Sequence, residues 1–157
     1  MKRLFFLWDL FTFAKNISMK HTQTILYYDS KVPAGFPSPA LDYMEKRIDL
    51  NEELIKHPLA TFICQSEGLS MINAFIPHKA KLIVDRSLSP KNGDIVLATL
   101  NGEFTVKFFK KNQYKCWLCP ANSKFPDIEI TEEMNMQVWG VVTHIITDVK
   151  DVRSCMR

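Results

Sequence analysis

The dipeptide Asn101-Gly102 is the feature that most constrains the fold of this 157-residue chain. It separates two runs rich in apolar and β-branched residues, Asp94–Leu100 and Glu103–Lys111. Both central residues of a tight type I′ turn need a positive φ, and Asn followed by Gly tolerates this best. The dipeptide therefore predicts an antiparallel β-hairpin.

Further strands are predicted on both sides of this hairpin. Short runs of Val, Ile, Phe and Thr bounded by turn residues are typical of strands. Such runs occur at Thr61–Gln65, Lys81–Asp85, Lys115–Cys119 and Gln137–Thr147. From residue 60 onward the chain is therefore expected to be mainly β. Its content of 46% hydrophobic and 24% charged residues is that of an ordinary globular protein.

The N-terminal part lacks this pattern and predicts a different organisation. Residues 1–34 show no clear period and predict an arm, residues 35–59 an extended or short-helical linker, and residues 60–157 a β-rich domain. Within the linker, a short helix is predicted through Ala40–Glu45. A second helix, capped by Asp49 or Asn51, is expected to run to Leu54-Ile55, ahead of a proline.

The first residues of the chain allow several interpretations. Lys2-Arg3 precedes an apolar run from Leu4 to Ala14, as in a signal peptide. The run is too short to cross a bilayer as a helix, and Asp9 interrupts it. An amphipathic or disordered arm, or a true start at Met19, are the other two interpretations. Attachment to a membrane is not expected.

The net charge and the cysteine content argue against direct DNA binding and against a structural zinc site. The formal net charge of +3 is small, and the cluster Lys107, Lys110 and Lys111 favours a solvated strand edge over direct reading of DNA. Cys116 and Cys119 form a lone C-x-x-C pair, whereas a structural zinc site usually needs two pairs or added histidines. We therefore expect free thiols in a reducing cytosol, with no metal and no cofactor.

One serine and one lysine carry the chemistry. Ser70 follows Gly68-Leu69, and Lys107 lies in the apolar strand after the Asn-Gly turn. A serine hydroxyl needs a base to become a nucleophile, and a lysine is a base only when neutral, a form that burial favours. The backbone N–H groups of Leu69 and Ser70 are candidates for an oxyanion hole.

Other interpretations of these residues remain open at this point. A Gly-x-Ser sequence is common, and a strand lysine is usually solvated. His144, in the last apolar strand, is an alternative base for Ser70, although no Gly-x-Ser-x-Gly elbow surrounds that serine.

A candidate substrate lies upstream in the same chain. The stretch Val32–Pro37 contains Ala34-Gly35 between two prolines, which keep it out of regular structure. A breakable segment ahead of a serine and a lysine suggests a protein that cuts itself.

The chain resembles the LexA/UmuD family of self-cleaving Ser-Lys peptidases, and its UmuD-like members in particular. Ser70 and Lys107 are 37 positions apart, as the family pattern requires. The resemblance covers roughly residues 34–147. The matching stretches are Gly35–Ala40, Asp42-Tyr43, Arg47–Asn51, Leu54-Ile55, His57-Pro58, Ala60-Thr61, Ser70–Ile72, Leu82–Asp85, Gly93–Val96, Gly102–Lys107, and Gly140–Val142 with His144.

The resemblance implies a fold and site residues. The fold would be mainly β, a compact twisted β-sheet domain with a flexible N-terminal arm, and the protein a homodimer. Ser70 would be the nucleophile, Lys107 the general base and Ala34-Gly35 the scissile bond.

It also implies partners and a cellular role. A RecA filament on single-stranded DNA would stimulate cleavage in the bacterial cytoplasm. The trimmed chain Gly35–Arg157 would then support a UmuC-type translesion DNA polymerase in the SOS response.

The chain departs from the family pattern in places. An acidic turn usual in the family is replaced by His78–Lys81, and the arm shows little similarity. The residues before Ala34-Gly35 are too few for a helix-turn-helix domain, so a repressor is not expected. A signal peptidase-type enzyme acting in trans and a non-catalytic dimer module are the alternative functions, and the sequence does not decide between cutting in cis and in trans.

Overall fold

The computed structural model describes residues 23–28 and 45–156 of the chain. These residues fall into two units, with the boundary between Glu53 and Leu54. The second unit carries Ser70 and Lys107.

The first unit contains a pair of antiparallel strands. β1 (Thr24–Tyr28) pairs with β2 (Glu45–Asp49), so that Thr24 lies opposite Asp49 and Tyr28 opposite Glu45. The Arg47 guanidinium donates a hydrogen bond to the Thr24 hydroxyl over 3.5 Å. The side chains of β1 remain exposed.

These two strands correct the sequence prediction, which had no strand before residue 60. Of the helix predicted over Ala40–Glu45, only Glu45 lies within the described residues, and it begins β2. The sequence of β2 is mostly charged and lacks an apolar alternation, so pairing with β1 is what defines it as a strand.

The second short helix was predicted correctly. α1 (Leu50–Leu54) follows β2 directly. The Asp49 carboxylate accepts hydrogen bonds from the Asn51 backbone N–H over 2.8 Å and from its side-chain amide over 3.1 Å. Asp49 is therefore the capping residue, since it satisfies an N–H group that the first turn leaves without a partner.

The second unit is built on a seven-stranded antiparallel sheet, which confirms the mainly β fold. Its spatial order is β3-β4-β9-β5-β6-β7-β8. The strands are β3 (Thr61–Gln65), β4 (Lys81–Asp85), β5 (Ile95–Leu100), β6 (Glu103–Lys111), β7 (Cys116–Cys119), β8 (Ile128–Ile130) and β9 (Met136–Ile146). Six of them match predicted strands to within one residue at each end, and β8 was not predicted.

Helical structure in this unit is limited to single turns. α2 (Val149–Val152) follows β9, and 3₁₀ turns occur at Ile72–Ala74 and Arg153–Met156. Among the described residues, no helix has both the length and the apolar character needed to span a membrane.

The predicted Asn-Gly hairpin forms between β5 and β6. Leu100 pairs with Glu103, and Asn101 and Gly102 have φ angles of 52° and 88°. The same register places Lys107 opposite Val96, a residue of the core. The turn therefore determines where Lys107 stands in the sheet.

The core packs on both faces of the sheet. One cluster contains Met71, Ile76, Leu82, Val84 and Leu97. The other contains Val96, Ala98, Phe109 and Leu118. Alternate residues of β5 thus point into different clusters, as expected for a central strand covered on both sides.

Gly140 allows β9 and β4 to approach closely. A Cβ atom at this position would lie 2.7 Å from both the Asp85 carbonyl oxygen and Val84 Cγ1. Any side chain would force the two strands apart.

A buried carboxylate fixes the end of β4. The Asp85 side chain lies 2.6 Å from His57 Nδ1 and accepts hydrogen bonds from the Ser87 backbone N–H and hydroxyl. Burial alone would raise the pKa of Asp85, but the hydrogen bonds from Ser87 and His57 outweigh it and lower the pKa. The pair joins the segment before β3 to the end of β4.

Candidate active site

Ser70 lies in a turn between β3 and the 3₁₀ turn Ile72–Ala74. Gly68 adopts a φ of 81°, a left-handed conformation that a residue without a side chain adopts without strain. Met71, directly after the serine, is only 3% exposed and packs in the core. The turn is therefore anchored beside Ser70, while the serine itself stays half-buried at the surface.

The segment that departs from the family pattern contacts this turn. The Gly68 backbone N–H donates a hydrogen bond to His78 Nδ1 over 3.4 Å. His78 begins the stretch His78–Lys81, so this departure lies next to the turn that carries Ser70.

Lys107 reaches the same turn from β6. Its side chain is buried, with 9% of the residue exposed. Nζ donates hydrogen bonds to Ser70 Oγ over 2.8 Å, Thr105 Oγ1 over 2.9 Å and the Val106 carbonyl oxygen over 3.0 Å. The structure thus brings together the serine and the lysine that the sequence singled out.

Burial lowers the pKa of Lys107 below the usual value for lysine. Removal from water disfavours the ammonium form more than the neutral amine. A larger share of Lys107 is therefore neutral at a given pH than of an exposed lysine. A neutral amine in contact with Ser70 Oγ can accept the proton of its hydroxyl.

The peptide unit before Ser70 is held by hydrogen bonds to its oxygen. The Leu69 carbonyl accepts from Asn122 Nδ2 over 2.9 Å and from the Ile72 backbone N–H over 3.2 Å. Within residues 23–28 and 45–156, no group accepts a hydrogen bond from the backbone N–H of Leu69 or Ser70. Both predicted oxyanion-hole donors are therefore without an internal partner in this part of the fold.

The alternative base is placed elsewhere. His144 lies on β9, and the hydrogen bond of its Nδ1 is to Thr143 Oγ1 over 3.1 Å. The group in contact with Ser70 Oγ is Lys107, which favours lysine over histidine as its base.

Ser70 and Lys107 open onto a cleft of about 410 Å³. Away from them, the Arg86 guanidinium lies 4.7 Å from the Phe62 ring centre and 4.8 Å from that of Trp139. Phe104 packs edge-to-face on Trp139 with ring centres 5.3 Å apart. The sequence analysis missed these residues because they come from three strands and the loop after β4 and share no local pattern.

The predicted scissile bond, Ala34-Gly35, lies outside the described residues. In the sequence it belongs to the stretch 29–44 that connects β1 and β2.

Comparison with known proteins identifies close relatives. A family model described as Peptidase S24-like matches residues 26–143. Protein MucA of Escherichia coli is 38% identical over 126 residues, which cover 80% of this chain and 86% of MucA. Protein SamA of Salmonella typhimurium (strain LT2) is 40% identical over 119 residues, 76% of this chain and 82% of SamA.

A LexA repressor is also similar. That of Ectopseudomonas mendocina is 32% identical over 117 residues, which cover 74% of this chain and 57% of the repressor. The range matched by the family model includes Ser70, Lys107 and the residues that line the cleft.

Proposed function

Because the chain belongs to the Peptidase S24-like family, we propose that it is a serine peptidase that cuts itself between Ala34 and Gly35. Ser70 is the nucleophile and Lys107 the general base. The observation that carries the proposal is the 2.8 Å contact between Lys107 Nζ and Ser70 Oγ at a buried lysine. The sequence similarity to a LexA repressor gives further support.

The reaction follows from these two side chains. Neutral Lys107 takes the hydroxyl proton of Ser70 as Oγ attacks the Ala34 carbonyl carbon. The backbone N–H groups of Leu69 and Ser70 donate to the oxyanion that forms. Lys107 then gives its proton to the departing Gly35 amine. Water, deprotonated by Lys107, then attacks the Ser70 ester. Lys107 returns this proton to the departing Ser70 Oγ, and the new carboxylic acid at Ala34 ionises to a carboxylate.

Cleavage is held back until the scissile segment occupies the cleft. A RecA filament on single-stranded DNA stimulates the reaction by binding the conformer in which this segment lies beside Ser70. A partner shifts such an equilibrium only by binding one conformer more tightly than the other.

The trimmed chain acts in SOS mutagenesis. Sequence similarity to MucA and SamA supports an accessory role of this kind. In this proposal Gly35–Arg157 forms a homodimer in the bacterial cytoplasm and supports error-prone synthesis by a UmuC-type translesion DNA polymerase.

Intact mass spectrometry of the purified chain tests the proposal. The chain is incubated at about pH 10, where a lysine is substantially neutral, and at neutral pH with and without RecA, single-stranded DNA and nucleotide. A product beginning at Gly35 is expected in alkali and with the filament. The Ser70→Ala variant should stay intact in every condition.

An intact wild-type chain in all conditions, with its fold verified by circular dichroism, would contradict the proposal. It would then favour a non-catalytic module or a peptidase acting in trans. Cleavage of both Ser70→Ala and Lys107→Ala would exclude these residues as the catalytic pair.

A further inference from the structure

Asn122, in the loop between β7 and β8, contacts the turn that carries the nucleophile. Its side-chain amide nitrogen donates to the Leu69 carbonyl oxygen over 2.9 Å, across 53 positions of sequence. The preceding residue, Ala121, accepts a hydrogen bond from the Asn73 backbone N–H over 2.9 Å. The loop therefore holds the turn on both sides of Ser70.

Together with the Ile72 N–H, which donates to the same oxygen over 3.2 Å, the contact with Leu69 also sets the direction of the next N–H group. The carbonyl of Leu69 and the N–H of Ser70 belong to one planar trans peptide unit, in which they point in opposite directions. A donor that fixes the Leu69 oxygen therefore fixes the Ser70 N–H as well. Among the described residues, no group accepts a hydrogen bond from that N–H, so the fold leaves it without an internal partner.

We propose that Asn122 is a positioning residue that orients the Leu69–Ser70 peptide unit, so that the Ser70 N–H donates to the oxyanion formed during cleavage. This inference rests on the proposed function. A hydrogen bond to the carbonyl also polarises the peptide unit and strengthens its N–H as a donor. Asn122 acts through this peptide unit and does not itself contact the substrate.

The two polar side-chain atoms of Asn122 make different hydrogen bonds, so a substitution can remove one bond and keep the other. Oδ1 accepts a hydrogen bond from the Lys124 backbone N–H over 3.0 Å and stabilises its own turn. Nδ2 donates to Leu69. An aspartate has almost the same shape and keeps the acceptor for Lys124, but an ionised carboxylate cannot donate. Asn122→Asp therefore removes the contact with Leu69 and keeps the cap of the turn.

The experiment compares wild type, Asn122→Asp, Asn122→Ala and Ser123→Ala, the last as a control in the same loop. The rate of self-cleavage is measured from neutral to alkaline pH, together with the rate at which a fluorophosphonate probe labels Ser70. We expect the alkaline plateau of both Asn122 variants to fall by about 10- to 100-fold, less than is typical for complete loss of an oxyanion-hole donor. Labelling should slow in parallel, because the phosphoryl oxygen of the probe occupies the same position. Ser123→Ala should match wild type.

The pH profile separates this role from a merely structural one. In Asn122→Ala, loss of the Leu69 contact should lower the alkaline plateau of the cleavage rate. The steep rise of this rate with pH should remain, because the contact between Ser70 and Lys107 is retained. Asn122→Asp with a wild-type plateau would overturn the proposal, since turn capping alone would then explain Asn122. The proposal would also be overturned if Asn122→Ala cut slowly, melted at a lower temperature than wild type and showed a cleavage rate displaced along the pH axis.

The same measurements distinguish failure of the proposed function from failure of the role proposed for Asn122. If wild type neither cuts nor reacts with the probe, Ser70 is not an active nucleophile and both proposals fall. If wild type reacts with the probe but does not cut, only self-cleavage fails, and the labelling rates of the variants still decide the role of Asn122.

Discussion

At the scale of single residues, the site depends on two opposing effects on Lys107. Three oxygen atoms accept hydrogen bonds from Nζ and stabilise the ammonium form. Burial opposes them, and the net effect is a lowered pKa. The residue is thus held in place by contacts that suit its charged form, in surroundings that favour the neutral form that the proposed mechanism needs.

This balance predicts a stability that changes with pH. The pKa of Lys107 is lower in the folded chain than the value of about 10.4 expected when unfolded, so folding opposes protonation of this residue. In a Ser70→Ala background, which removes the proposed nucleophile, Lys107→Met should raise the free energy of unfolding at pH 7 by about 1 kcal/mol. Gains of this size are common when a residue kept for function is replaced by one that suits the fold.

The sign of the pH dependence provides the check. Below the folded pKa both states are protonated and the full cost is present. As pH rises from the folded pKa toward the unfolded value, the cost disappears, so the advantage of Lys107→Met should shrink in alkali. Urea unfolding at several pH values measures this, and an advantage that grows with pH would contradict the assignment.

At the scale of elements, the sheet requires glycine at two positions for different physical reasons. Gly102 has a positive φ in the β5–β6 turn, with open space where a Cβ would lie. Gly140 lies against the backbone of Asp85, where a Cβ has no room. The first position requires a conformation, and the second requires the absence of a side chain.

Alanine at each position separates the two causes. In the same Ser70→Ala background, Gly102→Ala should destabilise the fold by about 1 kcal/mol, the cost of a left-handed residue. Gly140→Ala should cost about 3 kcal/mol, as for an overpacked core. Guanidinium unfolding gives both values, and an equal or smaller loss at Gly140 would show that β4 and β9 separate easily.

The same elements show what the sequence could predict. The hairpin around Asn101-Gly102 was predictable because its signal is local, and that hairpin places Lys107. The three-residue β8 and the charged β2 carry no periodic signal, and their partners define them as strands. Asn122 could not be found from the sequence because its contact with Leu69 depends on how two distant loops meet.

At the scale of the whole molecule, the proposed cut has a topological result. Ala34-Gly35 lies in the sequence between β1 and β2, so cleavage leaves these two paired strands on separate chains. An isolated pair of strands is marginally stable at best. The apolar side chains of β1, Ile25, Leu26, Tyr27 and Tyr28, are each about half exposed, which leaves little burial to retain it.

We therefore expect the fragment 1–34 to dissociate after cleavage. Native mass spectrometry of the alkali-cut protein should show Gly35–Arg157 without the fragment. A species that retains 1–34 through gel filtration would contradict this expectation and would mean that other contacts hold the arm. The uncut Ser70→Ala chain, treated in the same way, is the control.

The pairing of β1 with β2 determines how long the two strands stay apart after the proposed cleavage. While one chain carries both strands, their effective local concentration is about a millimolar, the range for a short connection, and it does not change with the amount of protein. After cleavage, association becomes bimolecular and follows the bulk concentration of the fragments. Under the proposed function, dilution alone then keeps the strands apart, so the separated state would outlast the signal that induced the cleavage.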